Sequence, residues 1–500
     1  MANVTWAAVP AAPGQREIRL DLSWENSWRS SSGPANRDAV WLFAKFRSGA
    51  AGAWRHATLS ASASDYAVSG TGGIPAAFSP SPDGKGVFVC RQADGRGPLR
   101  WTGVSLRWLS VAEAGPGGAE LEVRVFALEM VYVPSGPFSL GDGVSPGRFH
   151  AGGNPGQPAL ITATPPRLQN AAGGLWAERQ GAAPSSGASA PTWDRPSGWL
   201  PPAFPLGFQA FYLQKYEVTQ GQYAAFLNTL APRQAEARVP TREELSVRLG
   251  TRRKGGPAKP PALPRYTLTT TAEGRYVAGA PEYACGFLSW DDASAFADWA
   301  ALRPLTESEF EKACRGSGLK PVPGEYAWGS PRLSTLSDFQ GIDGSGTETA
   351  LPGDSNTLCQ SSIQGPVRVG IHEEKPTREL AGASYSGGLD LSGNVAEYAV
   401  LLGSPEGRGF TGNHGDGELD EAGNADVPLW PAARINGSPP AASSGRSRNG
   451  FGSRGGDWTS PALELRVSTR SAGTFPASRR LAGSGFRGGR SEVIAAPQVK

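Results

Sequence analysis

The chain of 500 residues carries 48 Lys and Arg against 45 Asp and Glu, a formal charge of +3 that singles out no partner class. Hydrophobic residues make up 39% with 15 Trp, which excludes a disordered chain; 67 Gly and 43 Pro exclude an architecture of long helices. No apolar run approaches the roughly 20 residues of a spanning helix, and the N-terminus lacks the basic and apolar regions of a signal peptide, so a cytoplasmic bacterial protein is expected.

The first 128 residues read as all-β. Ile18, Leu20, Leu22 and Trp24 alternate with Arg19, Asp21 and Ser23, the pattern of a half-buried strand. Val40–Phe46 reads as a strand with both faces partly covered, Val104–Val111 as another strand, and Leu121, Val123, Val125 and Ala127 alternate again. Turn signals such as Gly33-Pro34 and Pro82-Asp-Gly84 separate these runs, which predicts a β-sandwich. A second domain opens at about 129 and runs to 492, with a short tail at 493–500. Gly, Pro, Ala and Ser dominate 142–206, read as an insertion loop, and a second insertion spans about 231–280 with the basic run Arg252-Arg-Lys254.

Three helix starts are legible between and after these insertions. Thr219 precedes Gln222, Ser289 precedes Asp292, and Thr306 precedes Glu309, each a hydroxyl three residues before an acid or amide and ahead of an amphipathic run. Beyond Trp328 the chain is rich in loop signals. Cys90, Cys285, Cys314 and Cys359 are widely spaced without Cys-x-x-Cys, which fits buried free thiols rather than a disulfide framework or a structural zinc site.

Charge is uneven towards the C-terminus. Ten Arg and two acids lie in 434–490, and twelve acids and four bases in 354–426. The arginines stand singly among Gly and Ser with no Lys, which argues against a nucleic-acid patch; the expectation is that the two stretches neutralise each other. Asp416–Glu421 lacks the spacing of an EF-hand loop and reads as a solvated turn. No Ser-His-Asp arrangement is legible.

Seven motifs in order carry a resemblance: Met130-Val-Tyr-Val-Pro; Phe211-Tyr-Leu-Gln-Lys-Tyr-Glu-Val-Thr-Gln220; Arg303-Pro-Leu-Thr-Glu-Ser-Glu-Phe-Glu-Lys-Ala313; Tyr326-Ala-Trp-Gly329; Asp390-Leu-Ser-Gly-Asn-Val-Ala-Glu-Tyr398; Arg454-Gly-Gly-Asp-Trp458; and Gly485-Phe-Arg487. Over about 130–490 the chain resembles the formylglycine-generating enzyme (sulfatase-modifying factor) family. The resemblance implies an α+β, loop-rich C-type-lectin-like domain, here preceded by the all-β sandwich. The family's enzymes hold copper with two cysteines after the Arg-Gly-Gly motif; this chain has Ser460 and Leu465 there, and neither supplies the thiolate that Cu(I) needs. The His-x-x-x-His-x-Glu cluster of the iron enzymes sharing the fold is also missing, since His56, His150, His372 and His414 are scattered. No catalytic residue is therefore assigned.

The layout is similar to the variable proteins of diversity-generating retroelements, whose last codons are rewritten on a lectin-like scaffold. On that reading Arg454–Trp458 and Gly485–Arg487 frame a display surface made of Asp457, Trp458, Thr459, Ser460, Ala462, Glu464, Thr469, Ser471, Ala472, Thr474 and Phe475, with the interior positions exposed. The expected function is non-catalytic binding of a macromolecular ligand, a protein rather than a nucleic acid. The alternative is an enzyme of the same family with an unrecognised site. The resemblance also implies a structural calcium ion at Asp390, Gly393, Val395 and Glu397; the competing expectation pairs Asp390 and Glu397 with C-terminal arginines.

Overall fold

Alternation in the first strands sends side chains into two different cores. In the computed structural model, which describes residues 1–10, 12, 14–109, 121–178, 196–246, 265–433, 450–470 and 477–492, strands β1 (Ala2–Ala8), β2 (Arg16–Arg29), β3 (Asp38–Ser48), β4 (Ala67–Gly70), β5 (Ala76–Pro80), β6 (Val87–Arg91), β7 (Gly95–Trp108) and β8 (Leu121–Val133) build the N-terminal part. One sheet has the order β1-β2-β7-β4. Ile18, Leu20, Leu22 and Trp24 of β2 are buried as the alternation requires. They pack on Val40, Leu42, Ala44 and Phe46, the even-numbered face of β3, to close the sandwich core.

The odd-numbered face of β3 belongs elsewhere. Ala39, Trp41 and Phe43 join a larger core with Phe226, Phe296, Trp299 and Phe486. The sheet carrying β3 is continuous with the C-terminal part: its order is β10-β14-β9-β8-β3-β6-β5, where β9 is Phe211–Gln214, β10 Arg303–Pro304 and β14 Gly488–Ser491. The boundary expected at 128/129 falls inside β8, which pairs with β3 along Asp38–Ser48 and with β9 along Phe211–Gln214. A strand that gives Leu121 and Val125 to one core and Leu128 and Met130 to the other cannot end the first without starting the second. The sandwich and the lectin-like domain therefore share a wall.

All three capping boxes form. Thr219, Ser289 and Thr306 each accept from the backbone N–H three residues on, starting helices α1 (Gln220–Leu227), α2 (Trp290–Trp299) and α3 (Glu307–Arg315). The region read as an insertion loop at 142–206 instead holds short paired strands, Phe149–Ala151 with Gly174–Ala177 among them. Trp199 in this region is exposed. Arg252-Arg-Lys254 and the tail at 493–500 lie outside the described residues. A last three-stranded sheet, in the order β12-β11-β13, comprises β11 (Ala396–Val400), β12 (Phe451–Arg454) and β13 (Ser484–Gly485). No described helix is long and apolar enough to cross a membrane.

Helix α3 is buried along its whole length although it carries Glu307, Glu309, Glu311, Lys312 and Arg315. Lys312 Nζ donates to the carbonyls of Gly207 (2.5 Å) and Phe208 (3.1 Å), and burial pushes its ammonium down to about 7. The unfolded chain keeps this proton up to the ordinary 10.5. Between these values the unfolded state binds more protons, so stability rises with pH, by at most about 1.4 kcal/mol per unit for one group. Urea melts from pH 7 to 10 should show the native chain gaining stability relative to Lys312→Met; parallel curves would mean that Lys312 stays charged.

Candidate functional site

The charges of α3 fix the C-terminal segment. A buried carboxylate is costly unless paired, and α3 has three pointing to different sides. Glu309 takes both guanidinium arms of Arg303, at 2.8 and 2.7 Å. Glu311 accepts from Arg454 (2.9 Å), Arg315 (3.2 Å), Ser468 Oγ (2.9 Å) and the Gly141 N–H (2.8 Å). Glu307 accepts from Arg470 at 2.8 and 3.0 Å and from the Leu402 N–H at 2.8 Å. Arg454 and Arg470, sixteen positions apart, thus anchor the two ends of one segment on a single helix. Arg454 Nη2 also donates to the Val467 carbonyl (2.7 Å), closing the segment on itself.

Between these anchors the backbone turns sharply. Gly455 and Gly456 both have positive φ, and a Cβ on Gly456 would lie 2.7 Å from Leu465 Cδ1. Asp457 Oδ1 accepts from the N–H (2.7 Å) and hydroxyl (2.6 Å) of Thr459, an Asx-type turn that starts the excursion. Trp458 is buried against Leu336, Leu358, Val367 and Ile371. A 3₁₀ helix follows at Ala462–Leu465, and Leu465 packs with Tyr326, Trp328 and Cys359. Burial lifts the Asp457 carboxyl above the usual range; burial and then the charge of Asp457 do the same to Glu464.

The display positions divide. Thr459 is exposed, and Asp457, Ala462 and Glu464 are half-buried. Ser460 and Thr469 are buried, against expectation: the Ser460 hydroxyl donates to Glu464 (3.1 Å) and that of Thr469 to the Leu463 carbonyl (2.7 Å). Trp458 is an anchor rather than a surface group. Ser471, Ala472, Thr474 and Phe475 lie outside the described residues. Sequence reading missed Leu463, which is 37% exposed, and the anchor Arg470. The available signal was α3 itself, whose glutamates on several faces require partners.

Among the described residues, the mutual neutralisation expected of 354–426 and 434–490 is realised at Arg487 with Glu397 (2.7 and 2.9 Å). Arg454 and Arg470 go to α3, Arg480 to Asp292 (2.7 Å) and Arg490 to Asp83 (2.5 Å). The acids they meet lie outside the stretch predicted to receive them.

At the four residues of the calcium expectation, Asp390 Oδ2 accepts the Gly370 N–H (2.6 Å) and Glu397 Oε1 takes Arg487. Glu397 Oε2 is buried without a hydrogen-bond partner. Burial, with the charges of Asp390 and Glu397, pushes the neighbouring Glu217 carboxyl well above its usual range. Glu397 thus keeps one buried oxygen unpartnered, and a cation there would be held by Glu397, Asp390 and the carbonyls of Gly393 and Val395. Among the described residues, the one group of three or more His, Cys, Asp or Glu with ligand atoms all within 4.8 Å is instead Asp298, Asp416 and Asp426. There Asp298 is buried and accepts the Asp416 and Asp426 N–H groups, at 3.0 and 3.3 Å.

Ser460 and Leu465, at the expected copper-cysteine positions, are both buried and hold no thiol, so these residues do not fit a Cu(I) centre. The four cysteines are free and buried, and burial raises the thiol pKa of each. A Ser–His pair that the sequence did not reveal lies elsewhere. Ser355 Oγ is 3.2 Å from His372 Nε2, and Lys375 donates to the same hydroxyl at 3.2 Å. Both Ser355 and His372 are buried, and burial, then the charges of Lys375 and Arg368, push the imidazole down to about 3. Such an imidazole is a weak base at neutral pH, and the trio ties two loops together.

The sulfatase-modifying factor enzyme 1-like domain matches residues 124–491. The chain belongs to this family. The match begins within β8, the strand that the two cores share. Among solved structures the chain is similar to Treponema denticola variable protein 1, with 15% identity, coverage of 73% of this chain and 96% of that one, and a TM-score of 0.31. No curated protein sequence matches it. Within the sulfatase-modifying factor fold, Arg454 and Arg470 bracket the segment that differs from the copper-binding pattern.

Arg470→Met should cost about 3–5 kcal/mol by leaving Glu307 buried and short of its partner. Thr459→Ala should cost under about 1 kcal/mol. Denaturant melts of the two variants check this contrast; equal losses would remove the distinction between anchor and surface.

Proposed function

We propose that the chain binds a macromolecular ligand, a protein, through the face of residues 457–466, without catalysing a reaction, in the cytoplasm where its thiols stay reduced. One observation carries the reading: the segment is held at its ends by Arg454 and Arg470 on α3, while Thr459 and Leu463 between them face outward. Exposed positions contribute little to stability, so the sequence there is free to serve recognition. Ser460 and Leu465 support the non-catalytic half of the proposal. The competing reading, an enzyme of the family, is favoured by membership alone and requires a redox metal bound to the purified protein.

We propose further that the segment is diversified by a retroelement. Reads across a population of the source organism should then vary at codons for Thr459, Ala462, Leu463 and Glu464 and spare those for Arg454 and Arg470. An invariant segment would leave a fixed binding module. For the ion at Asp390 and Glu397, calcium should raise the melting temperature relative to chelator, and Glu397→Gln should abolish the rise. Identical melts with and without calcium would mean that Arg487 satisfies the site alone.

A further inference from the structure

Three cavities adjoin along one side of β8. The first, about 520 Å³, is lined by Arg124, Phe126, Ala225, Arg275 and Pro281 among others. The second, about 570 Å³, shares Phe126, Gly221, Ala225 and Pro281 with it and continues to Glu129 and Glu282. The third, about 470 Å³, shares Ala127, Glu129, Thr219, Gln222 and Glu282 with the second and ends at Arg368 and Glu373. Shared walls make them one trough, with β8 on one side and α1 with the turn Pro281–Glu282 on the other. From Arg124 to Glu129, β8 covers roughly 17 Å at about 3.3 Å per residue, the span of about five extended residues.

The trough changes character along its length. Its middle is apolar: Phe126, Ala127, Ala225 and Pro281. At one end stand Arg275 and Arg124, the latter held by Glu122 at 2.9 Å. The other end gathers four carboxylates, Glu25, Glu129, Glu282 and Glu373. Three cations oppose them, the first being Arg100, which pairs with Glu25 at 2.9 Å. Lys215, behind the wall, bonds Glu373 at 2.6 Å and Glu129 at 3.4 Å. Arg368 spends donors on the Glu348 carbonyl at 3.0 and 2.7 Å. Four acids against three cations still leave this end negative, by a single charge. In keeping with that, the Glu129 carboxyl is pushed up to about 7, by burial first and with Glu373 and Asp38 adding to it against Lys215.

We infer that this trough binds an extended peptide segment of a partner protein, with apolar residues on Phe126 and Ala225 and a lysine or arginine side chain among Glu129, Glu282 and Glu373. Length and an apolar floor suit a strand of peptide rather than a compact ligand. The charge at the acidic end selects its sign and steers its approach. No residue of the trough belongs to 454–470, so this surface and the display face stand or fall separately.

The test uses the full chain and two peptides carrying fluorescein on the N-terminal amine, fluoresceinyl-Leu-Pro-Ala-Leu-Lys-amide and its counterpart ending in Glu, read by fluorescence anisotropy. The Lys peptide should bind saturably, at least about tenfold more tightly than the Glu peptide, and weaken with salt. Ala225→Trp should fill the apolar middle and abolish binding, and Glu282→Gln, at an exposed position, should weaken the Lys peptide about threefold or more. Leu463→Asp should leave binding unchanged. Equal affinity for the two peptides, no saturation below about 1 mM, or unaltered binding by a folded Ala225→Trp would overturn the inference. If Ala225→Trp does not fold, an unchanged affinity in Glu282→Gln overturns it.

Discussion

Glutamates on a buried helix are the constraint around which the C-terminal part is arranged. Glu307, Glu309 and Glu311 leave α3 in different directions, each fully desolvated. Each is satisfied by arginine from a different stretch: Arg303 just before the helix, and Arg454 and Arg470 from the far end of the chain. Lone charges at such depth would cost several kcal/mol. The helix cannot be buried until the C-terminal segment is in place, and the segment has no comparable anchor without the helix. Local capping and long-range ion pairing therefore specify the same arrangement, the agreement between levels that marks a well-specified fold.

A division of labour follows within the segment. Its ends are held by charge, its turn by Gly455, Gly456 and Asp457, and its inner face by Trp458 and Leu465. Thr459, Ala462, Leu463 and Glu464 are left with few structural duties. Ser460 and Thr469 belong with the support, because their hydroxyls bond inside the 3₁₀ turn. Among the described residues, the segment thus exposes fewer positions than its sequence length suggests.

Much of this was legible before the structure. The capping boxes gave all three helix starts, because a hydroxyl three residues before an acid or amide is a local signal. The strands of the sandwich were legible from alternation, and Val40–Phe46 was correctly read as having cover on both faces. What covers its second face was not, since that depends on Phe226, Phe296 and Trp299 far along the chain; for the same reason the boundary placed at 128/129 falls within β8. The short strands within 142–206 were hidden by Gly and Pro, which mask pairing that only tertiary context provides. Apart from Arg487 with Glu397, the partners of the described C-terminal arginines were misassigned because local charge counts cannot tell which acids are buried. Exposure was misjudged at Ser460 and Thr469 for a similar reason: a small polar residue reads as surface until the fold covers it and its hydroxyl finds a neighbouring acceptor.

The central claim is that Arg454 and Arg470 hold the segment regardless of what lies outward between them. The most direct test randomises Thr459, Ala462, Leu463 and Glu464 together, in the native background and in Arg470→Met, and sorts both libraries for protease resistance. The claim predicts that most native-background variants resist cleavage while few in the Arg470→Met background do. Failure of most native-background variants would contradict it and would place the stability of the segment in its exposed residues.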